Sequence, residues 1–159
     1  MKRSAIIFAA TFLTASAFAQ EGIRLPPVDH AATAKECGAC HLVFPPQMLP
    51  ARSWTKIMDG LDDHFGENAS LDQAMRDDIA SYLTSRAADT KGAPGARRFL
   101  RGLGQNDVPA RITETPWWIR AHDEIRPARY TSTQVKSKAN CIACHRTADK
   151  GEYFDEEED

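Results

Sequence analysis

Four cysteines and two of the five histidines in this chain fall into two copies of one pattern, Cys37-Gly38-Ala39-Cys40-His41 and Cys141-Ile142-Ala143-Cys144-His145, and no cysteine is left over. Two thiols three positions apart can each form a thioether with one vinyl group of a single porphyrin. The histidine that follows can reach the iron, so the pattern is a c-type haem attachment signature. Two other chemistries use paired cysteines. Zinc ribbons separate their pairs by about 15–20 residues, whereas these pairs stand far apart along the chain. A redox dithiol gives no reason for histidine at the next position in both copies, a coincidence expected about once in a thousand at this histidine content. The residues imply two covalently bound haem c groups, with Cys37, Cys40 and His41 holding one and Cys141, Cys144 and His145 the other.

The ligand on the far side of each iron decides whether a haem shuttles electrons or binds a substrate. The remaining histidines are His30, His64 and His122, and the methionines beyond the first residue are Met48, Met58 and Met75. Trp54, Ile57, Met58 and Leu61 have the spacing of a buried helical face, which makes Met58 core. Met75 shares a face with Leu71, Ile79, Tyr82 and Leu83 and reads the same way. Met48 lies in the loop Phe44-Pro45-Pro46-Gln47-Met48-Leu49-Pro50 and follows the first motif so closely that packing against the ring suits it better than ligation.

A lone histidine is more often a surface or satisfied core residue than a ligand. His64, however, sits in the loop His64-Phe65-Gly66-Glu67-Asn68 ahead of the last helix of the first half, where small cytochromes c bring their distal ligand. His122 follows Thr115-Pro116-Trp117-Trp118, a cap and a proline suited to a first helical turn. It shares an apolar face with Trp118 and Ile125, and the second half has no methionine. His64 and His122 are therefore the expected distal ligands. For His30 three readings stay open: a helix cap, a solvated side chain, or a reach across to the other haem.

The elements that must position these residues read as helical. Periodicity predicts helices near residues 31–41, 53–62 and 71–86, the last opened by Ser70 with Gln73 three positions on. From Ala87 to Arg98 glycine and proline enter and the apolar periodicity stops, which places a domain boundary there. The second half carries its motif near its end, so it is not a repeat of the first. With about 55 residues it needs the haem as staple and core. Phe99, Leu100, Leu103, Trp117, Trp118 and Tyr130 are expected to pack that pocket.

The first residues, Met1-Lys2-Arg3, an apolar run from Ser4 to Leu13 and Ala17-Phe18-Ala19, read as a secretory signal cleaved before Gln20. The run is too short to span a bilayer, and no second run approaches that length. The whole chain has a formal charge of −2. Loss of residues 1–19 removes Lys2 and Arg3 and leaves 18 basic against 22 acidic residues, which argues against nucleic acid and anionic lipid as partners. The expected division is a signal over 1–19, a first haem domain over 20–90, a second over 91–154 and a solvated acidic tail over 155–159, with a docking role for a basic partner as a further reading of the tail.

The residues Phe44-Pro45-Pro46, Leu49-Pro50-Ala51-Arg52-Ser53-Trp54, His64 to Ala69, Arg111 to Thr115, His122 to Ile125 and Val135-Lys136-Ser137 around the two motifs resemble the di-haem cytochrome c family of bacterial periplasms. The resemblance covers nearly all of the chain after the signal. It implies an all-α fold, with an N-terminal class I cytochrome c-like domain and a small, mostly helical second domain organised by its haem. It also implies two low-potential haems with histidine on both faces, His41 with His64 and His145 with His122. Its implied partners are a soluble haem protein as acceptor, such as a small oxygen-binding mono-haem cytochrome, and a membrane b-type cytochrome as donor. The expected function is periplasmic single-electron transfer without catalysis. The alternative is a haem enzyme or gas-binding protein, peroxidase-like, with one five-coordinate iron.

Overall fold

The computed structural model describes residues 22–91, 93 and 95–154. The signal over residues 1–19 and the acidic tail over 155–159 lie outside the described residues. The chain is mostly helical. A short strand, β1 (Ile23–Arg24), leads to α1 (Ala31–Gly38), α2 (Ala51–Asp59) and α3 (Gln73–Ser85), then to α4 (Pro116–Ala121), α5 (Pro127–Tyr130) and a closing strand, β2 (Glu152–Tyr153). Among the described residues, six short 3-10 segments lie along the connections between α1 and β2.

Three helices, α1, α3 and α4, begin where the preceding residue supplies a side-chain partner for the free N–H groups of the first turn. His30 caps α1 through Nδ1, which accepts from Thr33 N at 3.4 Å. Its ring also meets Thr33 Oγ1 at 2.8 Å and Asp78 Oδ2 at 3.3 Å and stacks on Tyr82. Of the three readings open for His30, the cap is the one the fold adopts. Asp72, not Ser70, opens α3, because its carboxylate accepts from Met75 N at 3.0 Å. Thr115 caps α4, accepting from Trp118 N at 3.2 Å, and Pro116 occupies the first turn.

α2 and α3 pack on each other around Leu49, Trp54, Met58, Ile79, Tyr82, Leu83 and Ala87, with Met75 at the edge. Trp54 is oriented by its indole N–H, which donates to Pro46 O at 2.7 Å. A second cluster, of Leu25, Met48, Ala88, Ala96, Phe99, Ala148 and Tyr153, draws on both ends and the middle of the chain. Phe44 and Ile112 pack against both clusters. Arg52 ties the halves at the surface, donating to Asp107 O at 2.6 Å and Gly104 O at 3.0 Å.

Pro109, Pro116 and Pro127, with Gly102 and Gly104, break up the second half as far as residue 127, and residues 128–150, which hold neither proline nor glycine, form only short turns after α5. Its backbone groups are met by tight turns instead. β1 and β2 pair antiparallel, Ile23 opposite Tyr153 and Arg24 opposite Glu152, bringing residues near the two ends of the described chain together. The pair is too short to show alternation in the sequence, and it adds a minimal sheet to the helical fold.

Candidate haem sites

The first motif lies across the end of α1. Cys37 is in the last turn of the helix, whereas Cys40 and His41 follow it, so the expected helix through residue 41 stops at Gly38. The second motif forms a single 3-10 turn, Cys141–Ala143. In both, the first cysteine is partly buried and the last is exposed, and all four thiols are unpaired. Burial pushes the Cys141 thiol up to about 11, and burial followed by the Glu36 charge raises Cys37. Thiols held protonated in this way are poor redox nucleophiles. Among the described residues no three of His, Cys, Asp or Glu come together as a metal cluster. The four cysteines thus do not converge on a zinc ion.

His41 and His64 face each other with ring centroids 6.2 Å apart and planes 20° from parallel. His122 and His145 stand at the same 6.2 Å, with planes 84° apart. Two metal–imidazole bonds of about 2 Å each, plus about 1 Å from each bonded nitrogen to its ring centre, sum to about 6 Å, the width of one metal ion held between two rings. A direct ring stack would be closer, as at Trp118 on His122, 4.2 Å. The residues present therefore fit an iron at each pair.

In three of the four rings the other nitrogen is also arranged for ligation. His41 Nδ1 meets Leu42 O at 2.6 Å, His122 Nδ1 meets Trp118 O at 2.9 Å and His145 Nδ1 meets Phe154 O at 2.8 Å. A carbonyl accepts only from N–H, so each contact fixes the proton on Nδ1 and leaves Nε2 with its lone pair for a metal. Burial, and then the charges of His41 and Arg111, hold His64 below the ordinary imidazole range and favour its neutral form.

His64 is presented by a tight turn. Its backbone N–H donates to Glu67 O at 2.7 Å, and Phe65 (φ 60°) and Gly66 (φ 100°) both take left-handed conformations. Asp63 accepts from Gly66 N at 3.1 Å. Across the turn, Phe65 touches His64 at 4.7 Å, and the Arg111 guanidinium lies 3.8 Å over the Phe65 ring. His122 is held by the Trp118 ring, which also meets Tyr130. The sequence pointed to His64, His122 and the Trp118 face. It did not point to Arg111 or to the three carbonyls, since a backbone oxygen carries no residue signal.

The profile of the family described as Dihaem cytochrome c matches residues 33–153. The chain belongs to the dihaem cytochrome c family. Among solved structures it is similar to a dihaem cytochrome c from Rhodobacter sphaeroides, at 49% identity and a TM-score of 0.72 over 79% of this chain and 98% of that one. A second structure from that organism, of protein purified from it, matches at 43% and 0.66 over 79% and 97%. A dihaem cytochrome type c from Shewanella baltica OS155 matches at 37% and 0.60 over 76% and 84%. No curated protein matches. As a dihaem cytochrome c, the chain is an electron-transfer cytochrome with two covalently attached haem c groups, and its all-α character is that of the family. Among the described residues, no helix is long and apolar enough to cross a membrane.

Proposed function

We propose that this dihaem cytochrome c is an exported, periplasmic carrier of single electrons, with both irons six-coordinate between histidines, His41 with His64 and His145 with His122. The observation that carries the reading is the pair of 6.2 Å imidazole separations. When bound, the two haems supply reversible one-electron iron chemistry. Cys37, Cys40, Cys141 and Cys144 fasten them, and the four imidazoles leave neither iron an open position for substrate or oxygen. Histidine in place of methionine lowers the potential, so both haems should require strong reductants. Export follows from the signal-like first 19 residues. The partners proposed are a soluble haem protein as acceptor, a small oxygen-binding mono-haem cytochrome being one such, and a membrane b-type cytochrome as donor.

The test is the absorption spectrum of the oxidised and reduced holoprotein, with carbon monoxide added to the reduced form. A low-spin spectrum without a methionine–iron band and without a carbon monoxide shift is expected. His64→Ala and His122→Ala should each turn one of the two haems high-spin and open it to carbon monoxide. A high-spin, carbon monoxide-binding component in the unaltered protein would instead indicate a haem enzyme or gas-binding protein.

A further inference from the structure

The two haem regions carry opposite charge. Between Ile57 and Asp78, around His64, there are seven carboxylates and one cation. Between Ile125 and Thr147, around the second motif, there are five cations and no carboxylate. Four of the latter, Arg126, Arg129, Lys136 and Lys138, are exposed, and none of these four is paired with a carboxylate among the described residues.

The fold gathers these cations beside the haem attachment. Lys138 Nζ lies 5.7 Å from the Trp118 ring and 5.5 Å from Tyr130, and Trp118 stacks on His122. Tyr130 ends α5, directly after Arg129. Asn140 Nδ2 donates to Val135 O at 2.9 Å, which closes the loop holding Lys136 and Lys138 directly before Cys141.

The same stretch is unusually apolar at its surface. Of the four large exposed apolar residues described, Ile119, Ile125 and Ile142 belong to this half. Ile142 lies inside the motif itself and is 43% exposed. Apolar contact area bordered by charge is the anatomy of a transient protein interface, and here it lies at the attachment of a redox group.

We propose that the surface formed by α5 and the segment from Lys136 to Arg146 is the docking face for an acidic electron-transfer protein, which Arg126, Arg129, Lys136 and Lys138 steer onto the exposed Ile142 at the haem attachment. This rests on the electron-relay reading above and names the kind of partner it uses at the second haem. The carboxylates around His64 disfavour the same partner at the first haem, so the two haems address different surfaces. The sign is informative because residues 20–159 together are net negative, with 18 basic and 22 acidic residues. If whole-molecule charge governed encounter, an acidic partner would be repelled, and added salt would speed its reaction.

The experiment uses the full-length holoprotein in a stopped-flow spectrometer. Reduced flavodoxin, an acidic one-electron donor, is the probe, and reduced methyl viologen is a small, strong reductant that needs no docking face. With flavodoxin, the second-order rate constant should fall at least about tenfold between low and high salt, the signature of attraction between opposite charges. Arg129→Glu with Lys138→Glu should lower the low-salt rate by a similar factor and flatten the salt profile, while Arg129→Lys with Lys138→Arg preserves both. A rate that rises with salt, or a charge-reversed variant that reacts like the parent, would overturn the docking face. Failure of reduced methyl viologen to reduce the haems would instead overturn the relay reading beneath it.

Discussion

Phe65 shows how closely the distal side of the first haem site is balanced. A residue with a β-carbon held at φ 60° costs about 1 kcal/mol or more, and the Arg111 cation 3.8 Å over its ring returns about 0.5–1 kcal/mol at an exposed position. The two are of the same size, so Arg111→Ala should loosen the turn that presents His64 and raise the fraction of reduced protein that binds carbon monoxide, whereas Arg111→Lys keeps most of the parent behaviour. Carbon monoxide titration of both variants checks this, and equal titrations would assign the turn's rigidity to Asp63 and Glu67 alone. Tyr82 gives a second test at this scale. Its hydroxyl donates to Asp29 Oδ1 at 3.0 Å, and burial, then Asp29, raises the phenol's pKa. The fold therefore favours the neutral phenol. That contribution is complete below the unfolded phenol's pKa of about 10 and is lost as pH climbs past it. Tyr82→Phe should cost about 1 kcal/mol at neutral pH and make the alkaline fall of the thermal midpoint shallower above about pH 10. The facing of His64 with His41 and of His122 with His145 was legible from residue type and loop position. Their carbonyl partners were not, because those depend on where the chain returns after nine residues, as from Phe154 to His145, or on a helical turn, as from Trp118 to His122.

Short elements position the second haem site, and α4 depends on one hydroxyl. Thr115 is buried, donates to Ile112 O at 2.8 Å and accepts from Trp118 N at 3.2 Å. It thereby joins the turn that carries Arg111 to the helix that carries Trp118 and leads into His122. Thr115→Ala removes the cap and strands the helix N–H, a loss of about 1–2 kcal/mol, and Thr115→Ser should restore most of it. Chemical denaturation followed at the second haem's absorption would show the loss, and an unchanged midpoint would mean that the Trp118 stack alone fixes α4. This cap was readable in the sequence because threonine precedes proline at the first helical turn. The start of α3 was displaced by two residues because Ser70 and Asp72 both offer an oxygen, and Asp72 is the one whose extended backbone, ψ 156°, aims its carboxylate at the helix. α1 falls short of the predicted end because His41 must leave the helix to face His64. The 3-10 turns of the second half left no periodic trace, since three residues are too few to alternate faces.

At the scale of the whole molecule, the two sites share one packed body. Phe44 stacks beside His41 at 5.2 Å and, with Ile112, packs against both hydrophobic clusters, one of which reaches Cys141. A disturbance of one cluster therefore meets the other through the same two side chains. Within the stretch 87–98, whose composition suggests a boundary, Ala88 and Ala96, with Phe99 just after it, are buried among residues near both ends of the described chain. Two facing residues leave no pattern to detect, so the β1–β2 pairing was equally invisible, although it sets the proximal side of the second site. Gly151 makes the turn into β2 at φ 80°, and its carbonyl accepts from Leu25 N at 2.8 Å. Three residues later, Phe154 O orients His145. A β-carbon at Gly151 would run into the Leu25 carbonyl oxygen and require a left-handed alanine as well. Gly151→Ala should thus cost more than about 2 kcal/mol and release Phe154 O from the His145 ring. The thermal midpoint reads the first effect. The second should appear as a potential change at the second haem with the first unaltered, because hydrogen bonding to a ligating imidazole tunes its iron. Stability lost with both potentials unchanged would show that His145 is oriented by its own turn, Cys141–Ala143, and that the strand pair only fastens the ends.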